Sequence, residues 1–309
     1  MHTESVSFQT KDKVTLRGLF YTPANPPASK LPCVVISHGF SAVMEQGLTA
    51  VAEHITTHVP ITCLVYDNRG FGASDTREDQ PRQEVDGAVQ TSDISDAITY
   101  CQTRQDVDPE KIGLWGSSFS GANVLWVAAI DRRVKAVVAQ APLIDGWSAF
   151  AGLLRADEIE DWEADFQKDR LARAAGKPPM MIPVVDPNPL NRSAMTTKDS
   201  NVAMGGAEAI HKNFKNQVTL QSMHNLRAHQ GAAYIQHISP TPLLLSLATN
   251  DVVVSTATAL AAYNRALEPK ELHLFDGGHY EAYHGLPHFE ESVKVQADFF
   301  KRKLCNHLS

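Results

Sequence analysis

The sequence predicts an α/β protein with a mostly parallel central sheet, helices on both faces, and one inserted, mainly helical cap. Three observations predict it. Short, continuous apolar runs at residues 31–37, 61–66, 112–115, 134–139 and 243–248 recur between segments of helical spacing. Strands apolar on both faces are those of a parallel sheet covered on both sides. That alternation stops near Asp145 and resumes at Pro242, so a segment of different character interrupts one sheet. Finally, KIGLWGSSFSGANVLWVAA, residues 111–129, reads as strand, sharp turn and helix, with Ser118 at the turn.

Taken in order, residues 5–10 and 14–21 alternate loosely around the polar Lys11-Asp12-Lys13, which predicts an antiparallel hairpin at a sheet edge. Residues 31–37 form a buried strand, followed by His38-Gly39-Phe40 and a helix over 43–58. A strand at 61–66 leads into the turn Asp67-Asn68-Arg69-Gly70-Phe71-Gly72. A helix over 84–104, the strand 112–115, its helix and a strand at 134–139 complete the first half. Residues 145–239 form the cap: an acidic helix at 157–165, a loop rich in proline between Pro178 and Pro189, and helical stretches at 207–214 and 226–237. A strand at 243–248, a helix at 256–267, a strand at 271–275 and an amphipathic helix at 289–303 finish the chain. The expected division is a catalytic domain from 1–144 and 240–309, with the cap at 145–239.

The 309 residues, 43% hydrophobic and 20% charged, have ordinary globular composition and enough length for a large core. A net charge of −7 supplies no basic face for nucleic acid. The amino terminus, MHTESVSFQTKDKV, lacks the basic and apolar regions of a secretory signal, and no stretch approaches the roughly 18 apolar residues of a membrane span. A cytoplasmic location is expected. Cys33, Cys63, Cys101 and Cys305 form no C-x-x-C pair and read as structural thiols. His54 and His58 lie four apart without the glutamate of a zinc helix, and read as a wet helix face. No metal or organic cofactor is expected.

The chemistry concentrates at three predicted strand ends. A serine at a strand-to-helix turn stands above the sheet edge, while the Phe119 N–H at the helix start is free to meet a developing negative charge. Ser120 stands where a second glycine is usual in such a turn, with Gly121 one place later. Asp251 and His279 follow the strands at 243–248 and 271–275, and the carboxyl ends of parallel strands lie along one edge. Ser118 is therefore the candidate nucleophile, His279 its base, and Asp251 the acid that orients the imidazole. Asp145 is a rival acid, and His284 and His288 are rival bases. The Phe40 N–H, after the strand at 31–37, pairs with that of Phe119 as a candidate oxyanion hole. The cap contains five of the seven methionines. Its Trp147 and Met181 are the candidate substrate-binding residues, since adaptable apolar side chains suit a bulky nonpolar ligand; packing within the cap itself is the alternative.

The His38-Gly39 turn, the run from Tyr66 to Gly72, the Ser118 turn and the Gly278-His279 loop together resemble the α/β-hydrolase superfamily across nearly the whole chain. More narrowly, VDPEKIGLWGSSFSGANVL, DRRVKAVVAQAP and ISPTPLLLSLATND resemble the branch containing dipeptidyl-aminopeptidase-like hydrolases and fungal polyketide transferases. The resemblance implies the α/β-hydrolase fold, and an acyl or polyketide chain passed to water or an alcohol in specialised metabolism. The expected activity is that of a serine hydrolase acting on an ester or thioester of a bulky apolar acyl group. An acyl or polyketide transferase with an alcohol or amine acceptor, a carbon–carbon bond hydrolase, and a non-catalytic binding protein on the same fold are the alternatives. The expected partner is a small acyl substrate, and a homodimer is a possible assembly.

Overall fold

The computed structural model of the protein describes residues 1–305; the last four residues of the segment expected at 240–309 lie outside it. The chain opens with β1 (His2–Gln9) and β2 (Thr15–Thr22), then β3 (Leu31–Ser37), α1 (Leu48–His58), β4 (Thr62–Tyr66), α2 (Gly87–Thr103), β5 (Val107–Ser117), α3 (Phe119–Ile130) and β6 (Val134–Gln140). Between β6 and the next strand of the main sheet lie α4 (Gly146–Leu153), α5 (Ile159–Ala174), β7 (Met181–Ile182), α6 (Lys198–Met204), α7 (Ala207–Ile210), β8 (Val218–Thr219) and α8 (Leu220–Ala228). The chain then forms β9 (Leu243–Ala248), α9 (Thr256–Arg265), β10 (Lys270–Phe275) and α10 (Phe289–Leu304).

Among the described residues the main sheet has eight strands in the order β1-β2-β4-β3-β5-β6-β9-β10. The pairs β1/β2 and β2/β4 are antiparallel and the rest are parallel. Side chains alternate across it as a period of two requires. Val34, Ile36 and Trp115 pack with α1 and α10, whereas Cys33, Val35 and Leu114 pack with α2, α3 and α9. Strand order reverses between β3 and β5, since β3 continues to β4 on one side and β5 to β6 on the other. The crevice at such a switch point is where open α/β sheets bind ligands. The turns after both strands, Gly39-Phe40 and Ser118, meet there.

The sequence and the structure differ mainly at helix starts and in the inserted segment. The helix expected from 43 begins at Leu48, because Gly47 at φ 92° breaks the backbone before it. The central strand begins earlier, at Val107, and runs through the polar Asp108 to Lys111. The acidic helix runs on to Ala174 and buries only Trp162, Phe166 and Asp169, a narrow stripe on an otherwise charged cylinder. Helices α4 and α6 stand where no helix is expected, and of the helix expected at 226–237 only the last turn of α8, up to Ala228, and a 3-10 turn at Ile235–His237 are helical. The segment shares its core with the sheet: Phe150, Trp162, Met195, Met204 and Met223 belong to one buried cluster with Phe40, Phe119, Val253 and Val254. That contact seats the helices over the carboxyl edge. No helix among the described residues is long and apolar enough to cross a membrane.

Candidate active site

Ser118 joins β5 to α3 with φ 55° and ψ −120°, a conformation that costs a non-glycine residue on the order of 1–3 kcal/mol. The surroundings hold it there. Its N–H donates to the Gln140 carbonyl at 2.9 Å, and its own carbonyl accepts from the Leu143 N–H at 2.9 Å. Gly116 is required below it, because a Cβ at that position would lie 2.4 Å from the Ser120 carbonyl oxygen. The hydroxyl is thereby aimed off the end of the sheet at a fixed point.

His279 meets it from the loop after β10. Its Nε2 lies 3.0 Å from Ser118 Oγ, and its Nδ1 lies 2.7 Å from Asp251 Oδ2. The imidazole is closed to solvent and the Asp251 carboxylate is 2% exposed. Asp251 is tied down further by the N–H groups of Val253 and Val254, which donate to Oδ1 at 2.8 Å each. With Nδ1 donating to the carboxylate, Nε2 faces the serine with its lone pair, the arrangement needed to accept the hydroxyl proton.

None of the rivals is hydrogen-bonded to Ser118 or His279 among the described residues. Asp145 caps α4, accepting from the Trp147 and Ser148 N–H groups at 3.0 and 3.3 Å and from Gln230 at 2.9 Å. His288 sits between Glu281 and Glu291, and His284 packs edge-on against Phe289.

Gly39 brings the turn after β3 close to the serine. A Cβ there would lie 3.1 Å from Ser118 Cβ and 3.2 Å from the Ser117 carbonyl oxygen, so glycine permits an approach that other residues would obstruct. Among the described residues neither the Phe40 nor the Phe119 N–H donates to a protein acceptor. Among the described residues the turns on the two sides of the switch point thus each carry an N–H without a protein acceptor. His38 braces the turn: its Nε2 accepts from the Asn68 N–H at 2.9 Å and its Nδ1 lies 3.0 Å from the Gly39 carbonyl oxygen. Burial pushes its basicity down, which suits this neutral form. Asp67 ties the neighbouring loop by accepting from Met44 and Ala73.

Over Ser118 lies a cavity of about 700 Å³, walled by Phe40 below, Met195, Val202 and Met204 from the inserted segment, and Tyr280 and Tyr283 from the histidine loop. Neither Trp147 nor Met181 lines it, which corrects the sequence expectation. Trp147 stands in the first turn of α4, 60% exposed, with the Arg227 guanidinium 5.3 Å from its ring. Met181 points outward from β7, 38% exposed, while Ile182, next in the strand, points in. The methionines of the segment that line the cavity are Met195 and Met204. Tyr280 also lines the cavity, and its place next to His279 is the one signal of it in the sequence. Among the described residues no group of three or more His, Cys, Asp and Glu is placed to hold a metal ion.

A doubly covered sheet, a strained serine at the switch point and a histidine at its hydroxyl define an α/β-hydrolase. The chain belongs to the alpha/beta hydrolase fold family, which it matches over residues 32–283. It is similar to the polyketide transferase grgF of Penicillium sp, 32% identical over 306 residues covering 97% of this chain and 96% of the relative. It is equally similar to a thiohydrolase of Eupenicillium brefeldianum, 32% identical over 308 residues covering 96% of this chain and 94% of the relative. The crystal structure of the α/β-hydrolase GrgF from Penicillium sp. sh18 superposes with a TM-score of 0.83 at 30% identity, covering 99% of this chain and 100% of that one. The protein is an enzyme of the hydrolase or acyltransferase type.

Proposed function

We propose that the protein is a serine hydrolase that cleaves an ester or thioester of a bulky apolar, polyketide-like acyl group through an acyl-enzyme on Ser118. The single observation that carries this is the hydrogen-bonded line Ser118 Oγ, His279, Asp251, whose serine opens on a large, mostly apolar cavity. His279 takes the Ser118 proton as Oγ attacks the acyl carbon, and the Phe40 and Phe119 N–H groups stabilise the oxyanion. The same imidazole then protonates the departing alkoxide or thiolate. Water, deprotonated by His279, releases the acid and regenerates Ser118. Asp251 holds the tautomer and balances the imidazolium throughout. Similarity to the thiohydrolase supports a thioester substrate. The four cysteines are free thiols, which supports a cytoplasmic location.

A transferase reading rests on the similarity to grgF, with an alcohol or amine replacing water in the second step. One experiment separates them: p-nitrophenyl esters and matched thioesters from acetyl to octanoyl, with and without a primary alcohol, the products identified by mass spectrometry. Burial of six added CH₂ groups at about 0.8 kcal/mol each sets an upper limit of three to four decades in kcat/KM. Hydrolysis gives free acid as the main product and kcat/KM rising with chain length. Predominance of acyl-alcohol assigns the enzyme to the transferases, and a flat series removes the bulky acyl group from the proposal.

A further inference from the structure

Tyr280 follows His279 directly, yet its hydroxyl is held by the inserted segment. Tyr280 Oη lies 3.0 Å from Ser200 Oγ and donates to Met204 Sδ at 3.9 Å, both on α6. Ser200 Oγ lies 2.7 Å from Thr197 Oγ1, and the Ser200 N–H donates to that same oxygen at 3.1 Å, capping the helix. With the Tyr280 proton on the sulfur, the hydroxyls run in one direction: Thr197 donates to Ser200, and Ser200 to Tyr280. Each group is satisfied once, and the chain ends on a cavity-wall methionine. At its other end the tyrosine ring stands edge-on to the imidazole of His279, centroids 4.9 Å apart and planes at 83°. Ser200 is fully buried, and Met204 nearly so. Burial pushes the phenol well above its usual range, so the link is neutral and does not switch with pH in the working range.

We propose that Tyr280 is a positioning and specificity-determining residue, the latch through which α6 holds His279 over Ser118. The inference rests on the proposed role of His279 as base. Helix α6 carries Val202 and Met204, which wall the cavity, and in its first turn Ser200, the hydroxyl that grips Tyr280, with the cap Thr197 behind it. An acyl chain that fills the cavity packs against the same helix that fixes the tyrosine. The chain thereby steadies the imidazole, whereas an acetyl group leaves α6 unsupported. Part of the selectivity for long acyl groups then appears in turnover as well as in binding.

The test is a double-mutant cycle with Tyr280→Phe and Ser200→Ala, assayed with acetyl and octanoyl p-nitrophenyl esters, together with the rate at which a fluorophosphonate labels Ser118. Each single variant should lower octanoyl kcat about 10-fold, the scale of one lost buried hydrogen bond, with KM within about twofold. The acetyl ester should lose less. The double variant should be no slower than the worse single one, because both break one chain. Phosphonate labelling of Tyr280→Phe should slow in parallel. Additive losses, a change confined to KM, or a lower melting temperature with unchanged kcat and labelling rate would overturn the latch while leaving the serine reading intact. Failure of the wild-type enzyme to label at Ser118 would instead remove the reading beneath it.

Discussion

His279 Nδ1 lies 2.7 Å from Asp251 Oδ2, and the other oxygen of that carboxylate accepts two backbone N–H groups, so the acid cannot turn away from the ring. Asp251→Asn should therefore keep the fold but present the wrong partner to Nδ1, lowering kcat by on the order of four decades. Asp145→Asn, at a helix cap, should cost stability of about 1 kcal/mol or less and leave kcat near wild type. Steady-state kinetics with thermal melts of both variants checks this. A damaged Asp145→Asn beside a healthy Asp251→Asn would transfer the role.

The cavity wall yields a second expectation. Met195 is 5% exposed and lines the cavity, whereas Trp147 lies outside it. Met195→Ala should lower kcat/KM for the octanoyl ester about 10-fold, the scale of removing one apolar side chain from a binding wall, with a smaller change for acetyl. Trp147→Ala should leave both within about twofold. The chain-length series on these two variants decides it, and a reversed pattern would put the acyl group on the outer face of α4.

His229 links stability to acidity. Its ring stacks on Phe119 at 4.9 Å, and burial pushes its pKa down to about 4. The unfolded chain takes up a proton near pH 6.5 that the folded chain refuses until about pH 4, so stability is lost as pH falls through that window. Between pH 7 and pH 5 this single group accounts for about 2 kcal/mol. His229→Phe keeps an aromatic ring on Phe119, and the difference between its urea midpoints at pH 7 and pH 5 should be smaller than that of the wild type. An unchanged difference would show that His229 is not the acid-labile group.

What the sequence made legible follows from how local each signal is. The strands at 31–37 and 243–248 are bounded by their own apolar runs, and the observed bounds coincide with the expected ones. Ser118, Asp251 and His279 could be placed together because strand ends in a parallel sheet share an edge, a rule that needs no side-chain coordinates. The inserted segment was harder. Its apolar residues pack on Phe40, Phe119 and Val253 as well as on each other. Helices such as α4 and α6 therefore carry no complete apolar face that would mark them in sequence. Which methionine points inward depends on that packing, so Met195 and Met204 were hidden while Met181 was conspicuous. The start of α1 turned on one glycine, Gly47, whose positive φ a pattern of apolar spacing does not register.

The central claim is that Ser118 carries the acyl group, and the most direct measurement is peptide mapping by mass spectrometry after treatment with a fluorophosphonate and, separately, after rapid acid quench with an octanoyl thioester. Wild-type enzyme should gain one adduct in each case, on Ser118, and both adducts should vanish in Ser118→Ala, whose kcat should fall about a millionfold. An adduct on Ser117, Ser120 or a cysteine, or turnover that survives Ser118→Ala, would contradict the account.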